Sequence, residues 1–350
     1  VRLQAGNGNG ALGTATGVPA ARLAYDDGTN NNLVIDDLWY RFPVGNLTVT
    51  IAANQLNLDD VMDTYNPYLQ SSGTGSVSRA ERYNNLVYRD PYDGVGLALN
   101  YKFIKEISLD TFYLAKSNSA SNPNPTTSGG ITNTNGLFGG GFAAGTQLNI
   151  APAKEFKFGL TYVHTYDVNP SPATGIFTVA SPIGNSPFNG GSLDSDRFGL
   201  ETTITPFKGI NFTAWGGFAQ VHGQGNIGGN PSLDINNRNA DIWTWNAALN
   251  VLDLGIPGSV LSFGGGLLPS AFGVDGVTNA AGTKGNYFPT TYPGSGSQDR
   301  NASYIAQIQY AFPIGQYIQI TPAMYAIFNP NNYSQNDTLW IGVIRTTFTF

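Results

Sequence analysis

Short connections and long ones take strict turns along this chain, and that rhythm limits the fold more than any single motif. Six segments read as two period-2 strands around a tight turn: "DDLWYRFPVGNLTVTIAAN", "GVGLALNYKFIKEISLDTFYLAK", "TQLNIAPAKEFKFGLTYVHTY", "DRFGLETTITPFKGINFTAWGGFA", "DIWTWNAALNVLDLGIPGSVLSFGGGLL" and "SYIAQIQYAFPIGQYIQITPAMYAIF". Between them lie long stretches rich in Asn, Gly, Ser and Pro, at roughly 7–35, 55–92, 117–145, 167–196, 220–240, 269–302 and 329–337. With "VRLQAG" at the start and "TLWIGVIRTTFTF" at the end, the reading gives about 14 strands. In an up-and-down antiparallel sheet this sorting puts the short turns, near Val44, Lys105, Ala153, Phe207, Gly255 and Ile314, at one end and every long loop at the other. The expected fold is therefore an all-β, transmembrane, antiparallel up-and-down β-barrel, one domain over residues 1–350. Helix should be slight and confined to 55–92.

Side-chain parity supports a lipid-facing exterior. In "EFKFGLTYV" Phe156, Phe158, Leu160 and Tyr162 share one face, with Lys157, Gly159 and Thr161 on the other. Arg2, Arg41, Lys102, Asp110, Lys157, Arg197, Glu201 and Arg345 each fall opposite the more apolar parity of their strand. A charge facing hydrocarbon at mid-depth costs about 2–4 kcal/mol for Arg or Lys, so this one-sidedness assigns the eight residues to the lumen wall. The wall is then net basic, favouring anions, with Arg197 and Arg345 contributing. Phe158, Leu200, Phe212, Ile344 and Phe348 are expected outside. A closed barrel would pair the last strand with the first, so a chain ending in "TTFTF" would leave no bare edge.

Composition removes several alternatives. Charged residues are 11% of the chain, under half of the roughly 25% of ordinary soluble domains, leaving few for a water-facing exterior. A net charge of −6 without a basic cluster argues against nucleic acid as partner. With no cysteine there is no disulfide or thiolate chemistry. The charge-free stretch 254–274 is broken by Pro257, Pro269 and Gly264–Gly266 and reads as a strand after a turn, not a spanning helix. No secretory h-region opens the chain, as expected of a mature chain or a fragment.

The motifs for chemistry are weak. Gly8, Gly10 and Gly13 match G-x-G-x-x-G, but loop composition rather than a helix follows. His164 sits in "YVHTY" on the outward parity, where a barrel phospholipase would carry a catalytic His, but flanking tyrosines favour an interfacial girdle position. His222 is placed in a Gly-rich loop. Asp194 and Asp196 could share calcium, though a solvated loop start explains them better. No catalytic residue, metal site or cofactor is expected. Charge concentrates instead in 55–92, where Asp59, Asp60, Asp63, Glu81 and Asp90 lie beside Arg79, Arg82 and Arg89. Folded inward, such a loop would set a transverse field across the lumen; left outside, it would be a surface loop or a latch between subunits.

"RLQAGNGNG", "IDDLWYRFPVGNLTVTIAANQ", "YNNLVYRDPYDGVGLALNY" and "DTLWIGVIRTTFTF" together resemble the cyanobacterial outer-membrane porins, a branch of the OprB-type carbohydrate porins sometimes labelled iron-uptake porins. The resemblance covers essentially the whole chain. It implies a 16-stranded homotrimeric barrel in the outer membrane of a Gram-negative-type cell, passing small hydrophilic solutes and ions, with 55–92 as the constriction loop. Full-length members begin with an S-layer-homology region and a coiled coil. Those and two upstream strands are not found here. A sugar-selective channel is the alternative, and an outer-membrane enzyme or adhesin the more distant one.

Overall fold

A computed structural model describes the chain except residues 9, 90–93, 129, 168–178, 189–190, 228–229, 231–233, 276, 279–283 and 286–300. Fourteen strands form one sheet in chain order. They are β1 (Arg2–Gln4), β2 (Val34–Val44), β3 (Leu47–Leu56), β4 (Gly94–Ile104), β5 (Ile107–Lys116), β6 (Phe142–Ala153) and β7 (Phe156–Asp167). There follow β8 (Ser192–Phe207), β9 (Ile210–Gln224), β10 (Asn239–Leu252), β11 (Val260–Val274), β12 (Tyr304–Ile314), β13 (Ile318–Phe328) and β14 (Leu339–Phe348). Every neighbouring pair is antiparallel. The six tight turns fall within the six segments read as hairpins, all at one end.

Three expectations change. β14 pairs only with β13, and β1 only with β2, so the ladder from last strand to first is absent among the described residues. Among the described residues β1 spans three, bulged at Arg2/Leu3, and β14 spans ten. Short helices occur beyond 55–92, at Ala11–Thr16, Ser117–Ala120, Gly136–Gly139 and Pro182–Asn185, where long loops turn back on themselves. His222 lies in β9, not in a loop.

Alternation along the strands sorts the two faces. Leu200, Phe212, Ile344 and Phe348 are exposed, and Phe158 is half-buried. Outward aromatics make a belt near the long-loop end: Tyr113 on Phe142, Phe142 on His164 and Tyr166, Tyr162 on Phe198, and Phe218 on Trp243. Beside it Asp196 accepts from Tyr162 and pairs with His164, while Asp194 pairs with His222 at 2.7 Å. Among the described residues no cluster of three or more His, Asp or Glu has metal-binding geometry.

The inward face is graded along its length. Near the short turns it is polar, with Asn211, Thr213, Asn246, Asn250, Gln309 and Thr321 buried. Near the long loops the same parity turns apolar, with Ala219, Val221, Ile242, Ile305 and Ile327. These pack against residues of the long loops: Leu86, Ile183 and Phe188 in one cluster, and Val18, Ala21, Val77 and Ala80 in another. The sheet thus encloses a dry core in its long-loop half. Fully burying a side chain such as Leu86 or Ile242 contributes about 1.5–3 kcal/mol, enough to draw these loops inward.

Candidate functional site

Residues 57–89 run across the inside of the sheet and are fastened to strand after strand. Gln147 on β6 donates to the Asp63 carbonyl at 2.9 Å and to the Tyr88 hydroxyl at 2.6 Å, and the Tyr65 hydroxyl donates to Asn149 at 2.6 Å. Asn84 donates to Glu201 on β8 at 2.8 Å and to the Gly216 carbonyl on β9 at 3.1 Å. Asn246 on β10 donates to Glu81 at 2.9 Å. Gln307 and Gln309 on β12 accept from the backbone N–H of Ser78 and Val77, each at 3.1 Å. On β14, Arg345 donates to the carbonyls of Ser72, Gly75 and Ser76. A segment with little helix leaves many backbone groups to satisfy, and the amides, hydroxyls and guanidinium of the inner wall supply the partners.

A second loop, joining β1 to β2, lies on the first. Leu23 and Ser78 form an antiparallel bridge, and the Tyr325 hydroxyl donates to the Ala21 carbonyl at 2.7 Å. Arg22 grips Asp26 with two bonds, at 2.9 and 2.8 Å, and Arg79 reaches Asp26 at 3.4 Å. The glycines of the G-x-G-x-x-G match wrap this cluster. A Cβ on Gly8 would collide with Asp26 backbone and one on Gly13 with the Arg22 side chain, and Gly10 has φ +59°. The motif therefore serves packing.

Between the two loops and the β1–β2 edge lies a cavity of about 120 Å³. Its lining includes four arginines, Arg2, Arg79, Arg82 and Arg89, and four aspartates, Asp27, Asp36, Asp59 and Asp60. Tyr25, Tyr83 and Tyr88 also line it. Arg82 and Arg89 both stack on the Tyr83 ring, at 4.7 and 4.9 Å from its centre. Arg82 pairs with Asp59 at 3.2 Å and donates to the Gln70 carbonyl, while Arg2 pairs with Asp36 at 2.7 Å. Burial pushes the Asp60 carboxyl up to about 6, with Asp59 and Asp37 adding repulsion and the Asn57 hydrogen bonds opposing. Burial also lowers the Arg82 guanidinium from its ordinary value. Two further cavities, of about 280 and 350 Å³, lie between the loop and strands β2–β7.

The residues assigned from parity to the lumen wall divide into two groups. Arg41, Lys102, Asp110 and Lys157 line the two larger cavities, and Arg2 lines the charged one. Arg41 donates to the Asp60 carbonyl at 2.6 Å, and Asp110 accepts from Asn100 and Asn149. Arg197 and Glu201, in contrast, are 1% and 0% exposed. Arg197 bonds Ser195, Thr165 and the Leu86 carbonyl, and Glu201 bonds Asn84 and Thr161. The loop covers them, so they face protein where an open pore wall was expected. Arg345 likewise spends its two terminal nitrogens on the loop. Within the loop, Asp59, Asp60, Arg79, Arg82 and Arg89 reach the charged cavity, Asp63 lines the largest one, and Glu81 is buried against β10. Asp90 lies outside the described residues. The dry inner core was missed from sequence, although its signal is there: Ala219, Val221, Ile242 and Ile305 are apolar on the parity assigned to a wet lumen.

A one-sheet up-and-down antiparallel barrel wall, apolar outside and holding a charged loop within, is the architecture of an outer-membrane porin. The profile of the "Carbohydrate-selective porin, OprB family" matches residues 1–350, and the chain belongs to that family. It is 29% identical over 349 residues to an uncharacterized protein of Synechocystis sp. PCC 6803, covering 96% of this chain and 57% of the relative. With an uncharacterized protein of Nostoc sp. PCC 7120 the identity is 27% over 359 residues, covering 98% and 55%. The chain thus spans little more than half the length of these relatives. The solved structure of Pseudomonas putida OprB is similar in fold, with a TM-score of 0.54 at 11% identity over 95% of this chain and 78% of that one.

Proposed function

We propose that this chain forms a passive diffusion channel of the outer membrane of a Gram-negative-type, cyanobacterial cell, assembled as a homotrimer and performing no chemistry. The observation that carries the reading is the charged cavity inside a wall whose outer face is apolar and aromatic. Residues 55–92 act as the constriction loop. Solutes passing the Arg82–Tyr83–Arg89 stack cross a strong local field from guanidinium and carboxylate groups in a region of reduced dielectric. With four acids against four bases, the cavity passes small hydrophilic solutes and ions with weak charge preference near neutral pH. A sugar-selective channel is the second reading. Tyr25, whose ring is exposed at the cavity beside paired charged groups, favours it, since sugars stack on aromatics and take hydrogen bonds at their edges. The test is planar-bilayer recording of the purified protein with salt alone and with neutral sugars. Steps of current support a channel, and current block by one sugar at concentrations where others have no effect selects the second reading. Absence of conductance would contradict both.

A further inference from the structure

Loop and wall meet through two fully buried carboxyl groups that differ in kind. Glu201 on β8 has both oxygens engaged, Oε1 accepting from Asn84 Nδ2 at 2.8 Å and Oε2 from Thr161 Oγ1 at 2.9 Å. Glu81 in the loop has one: Oε1 accepts from Asn246 Nδ2 at 2.9 Å, while Oε2 is buried without a partner. Asn246 Oδ1 is also buried without a partner. The two orphaned atoms belong to the two members of a single hydrogen-bonded pair. A carboxylate cannot repair this, because it only accepts. A carboxylic acid can, because an O–H on Oε2 donates to Oδ1 while Oε1 accepts from Nδ2, closing a carboxyl–amide ring. One proton thus satisfies both atoms, each of which would otherwise remain desolvated without a bond.

We propose that Glu81 is held as the neutral acid in a two-bond pair with Asn246, and that this pair is a proton-dependent latch fastening residues 57–89 to the wall. Among the described residues no cation pairs with the carboxyl. From β11 it faces Gly264, where a Cβ would collide with Oε2. Arg79 turns to Asp26 and Arg82 to Asp59. On β8, Arg197 binds Ser195 and the Leu86 carbonyl, and Glu201 binds Asn84. Arg345 on β14 holds loop carbonyls. Burial without a cation pushes the Glu81 carboxyl up to about 8, from an ordinary value of 4.5.

The sign follows from linkage. An undocked loop has an ordinary carboxyl and a docked one a raised carboxyl, so docking is strongest below about pH 4.5. It weakens about tenfold per pH unit up to about 8 and levels off above, because undocking releases a proton throughout that window. The latch rests on the channel reading only for its effect on current, and its test needs none.

Hydrogen exchange of the loop amides is measured on the full chain in detergent from pH 5 to 9, with intrinsic exchange rates divided out. Protection of residues 78–86 is expected to fall about tenfold or more per pH unit up to about 8 in the wild type. The fall should be shallower by about tenfold per pH unit in Glu81→Gln, whose amide donates permanently to Asn246 Oδ1, what remains coming from other buried carboxyls such as Asp60, and Glu201→Gln should keep the Glu81 contribution. If Glu81→Gln fails to fold, Asn246→Ala is compared instead, and protection is expected to be low at every pH. The infrared difference at pH 7 between wild type and either variant should contain the carbonyl stretch of a protonated carboxyl. A carboxylate band there, or equal slopes in wild type and Glu81→Gln, would overturn the latch. A wild type that passes no current would defeat the channel reading and leave the latch standing.

Discussion

Replacing Arg345 with Gln removes the most concentrated hold on the inward loop. The guanidinium donates to three carbonyls within five residues, those of Ser72 at 3.0 Å, Ser76 at 2.9 Å and Gly75 at 2.5 Å. A hydrogen bond from a charged donor contributes about 1.5–3 kcal/mol. The three share one half-buried side chain, Gln can restore one, and water can reach part of the site, so the net loss is about 3 kcal/mol. At about 1.4 kcal/mol per factor of ten, local opening of the 72–78 segment rises about a hundredfold. Hydrogen exchange reads this directly at the amides of Ser76, Val77 and Ser78, which are bonded to Leu69, Gln309 and Gln307. Arg345→Lys should fall between, since an ammonium lacks the planar fork that spans three acceptors. Ile344→Ala, on the opposite face, should leave these amides unchanged. Exchange in Arg345→Gln within twofold of wild type would refute the reasoning, because it would mean the segment is held without the guanidinium.

Three further outcomes follow from the same geometry. Leu200→Arg puts a charge on the lipid face and should destabilise the folded protein in vesicles by about 2–4 kcal/mol, read from reversible denaturant unfolding. In a salt gradient, Arg82→Gln with Arg89→Gln should shift the reversal potential toward cations, whereas Arg197→Gln should leave it unchanged because the loop covers that side chain. Lowering the pH through about 6 protonates Asp60 and removes one negative charge from the cavity, so the wild type should become more anion-selective on acidification; Asp60→Asn should show that selectivity already at pH 7.

Strand order, turn positions and the lipid-facing residues were readable because each depends on local pattern. A two-residue turn such as Gly45–Asn46 marks itself by composition, and a strand facing lipid tolerates no charge, so parity alone separates Leu200 from Glu201. The fate of inward residues depends on what lies opposite, which periodicity does not carry. Arg197 and Lys157 look alike in sequence, both charged on inward parity, yet one is sealed beneath Leu86 and the other opens on a cavity. His222 was read as loop because Gly223 and Gly225 follow it closely; packing against Ile235, which would collide with a Cβ at Gly223, extends β9 that far. The role of residues 7–33 as a second layer over 57–89 rests on contacts about 55 positions apart in sequence, such as Leu23 with Ser78, and no local signal announces them.

The central claim is that the cavity beside 57–89 lies on a conducting path. The chain has no cysteine, so Arg82→Cys offers one reactive thiol on that path and Ile344→Cys one on the outer face. Each is incorporated into a planar bilayer and treated with small thiol reagents, one cationic and one anionic, during single-channel recording. Arg82→Cys is expected to conduct, its current to change stepwise on modification, and the two reagents to move its reversal potential in opposite directions, with no change for Ile344→Cys. Current that is indifferent to modification of Arg82→Cys, with labelling verified by mass, would contradict it.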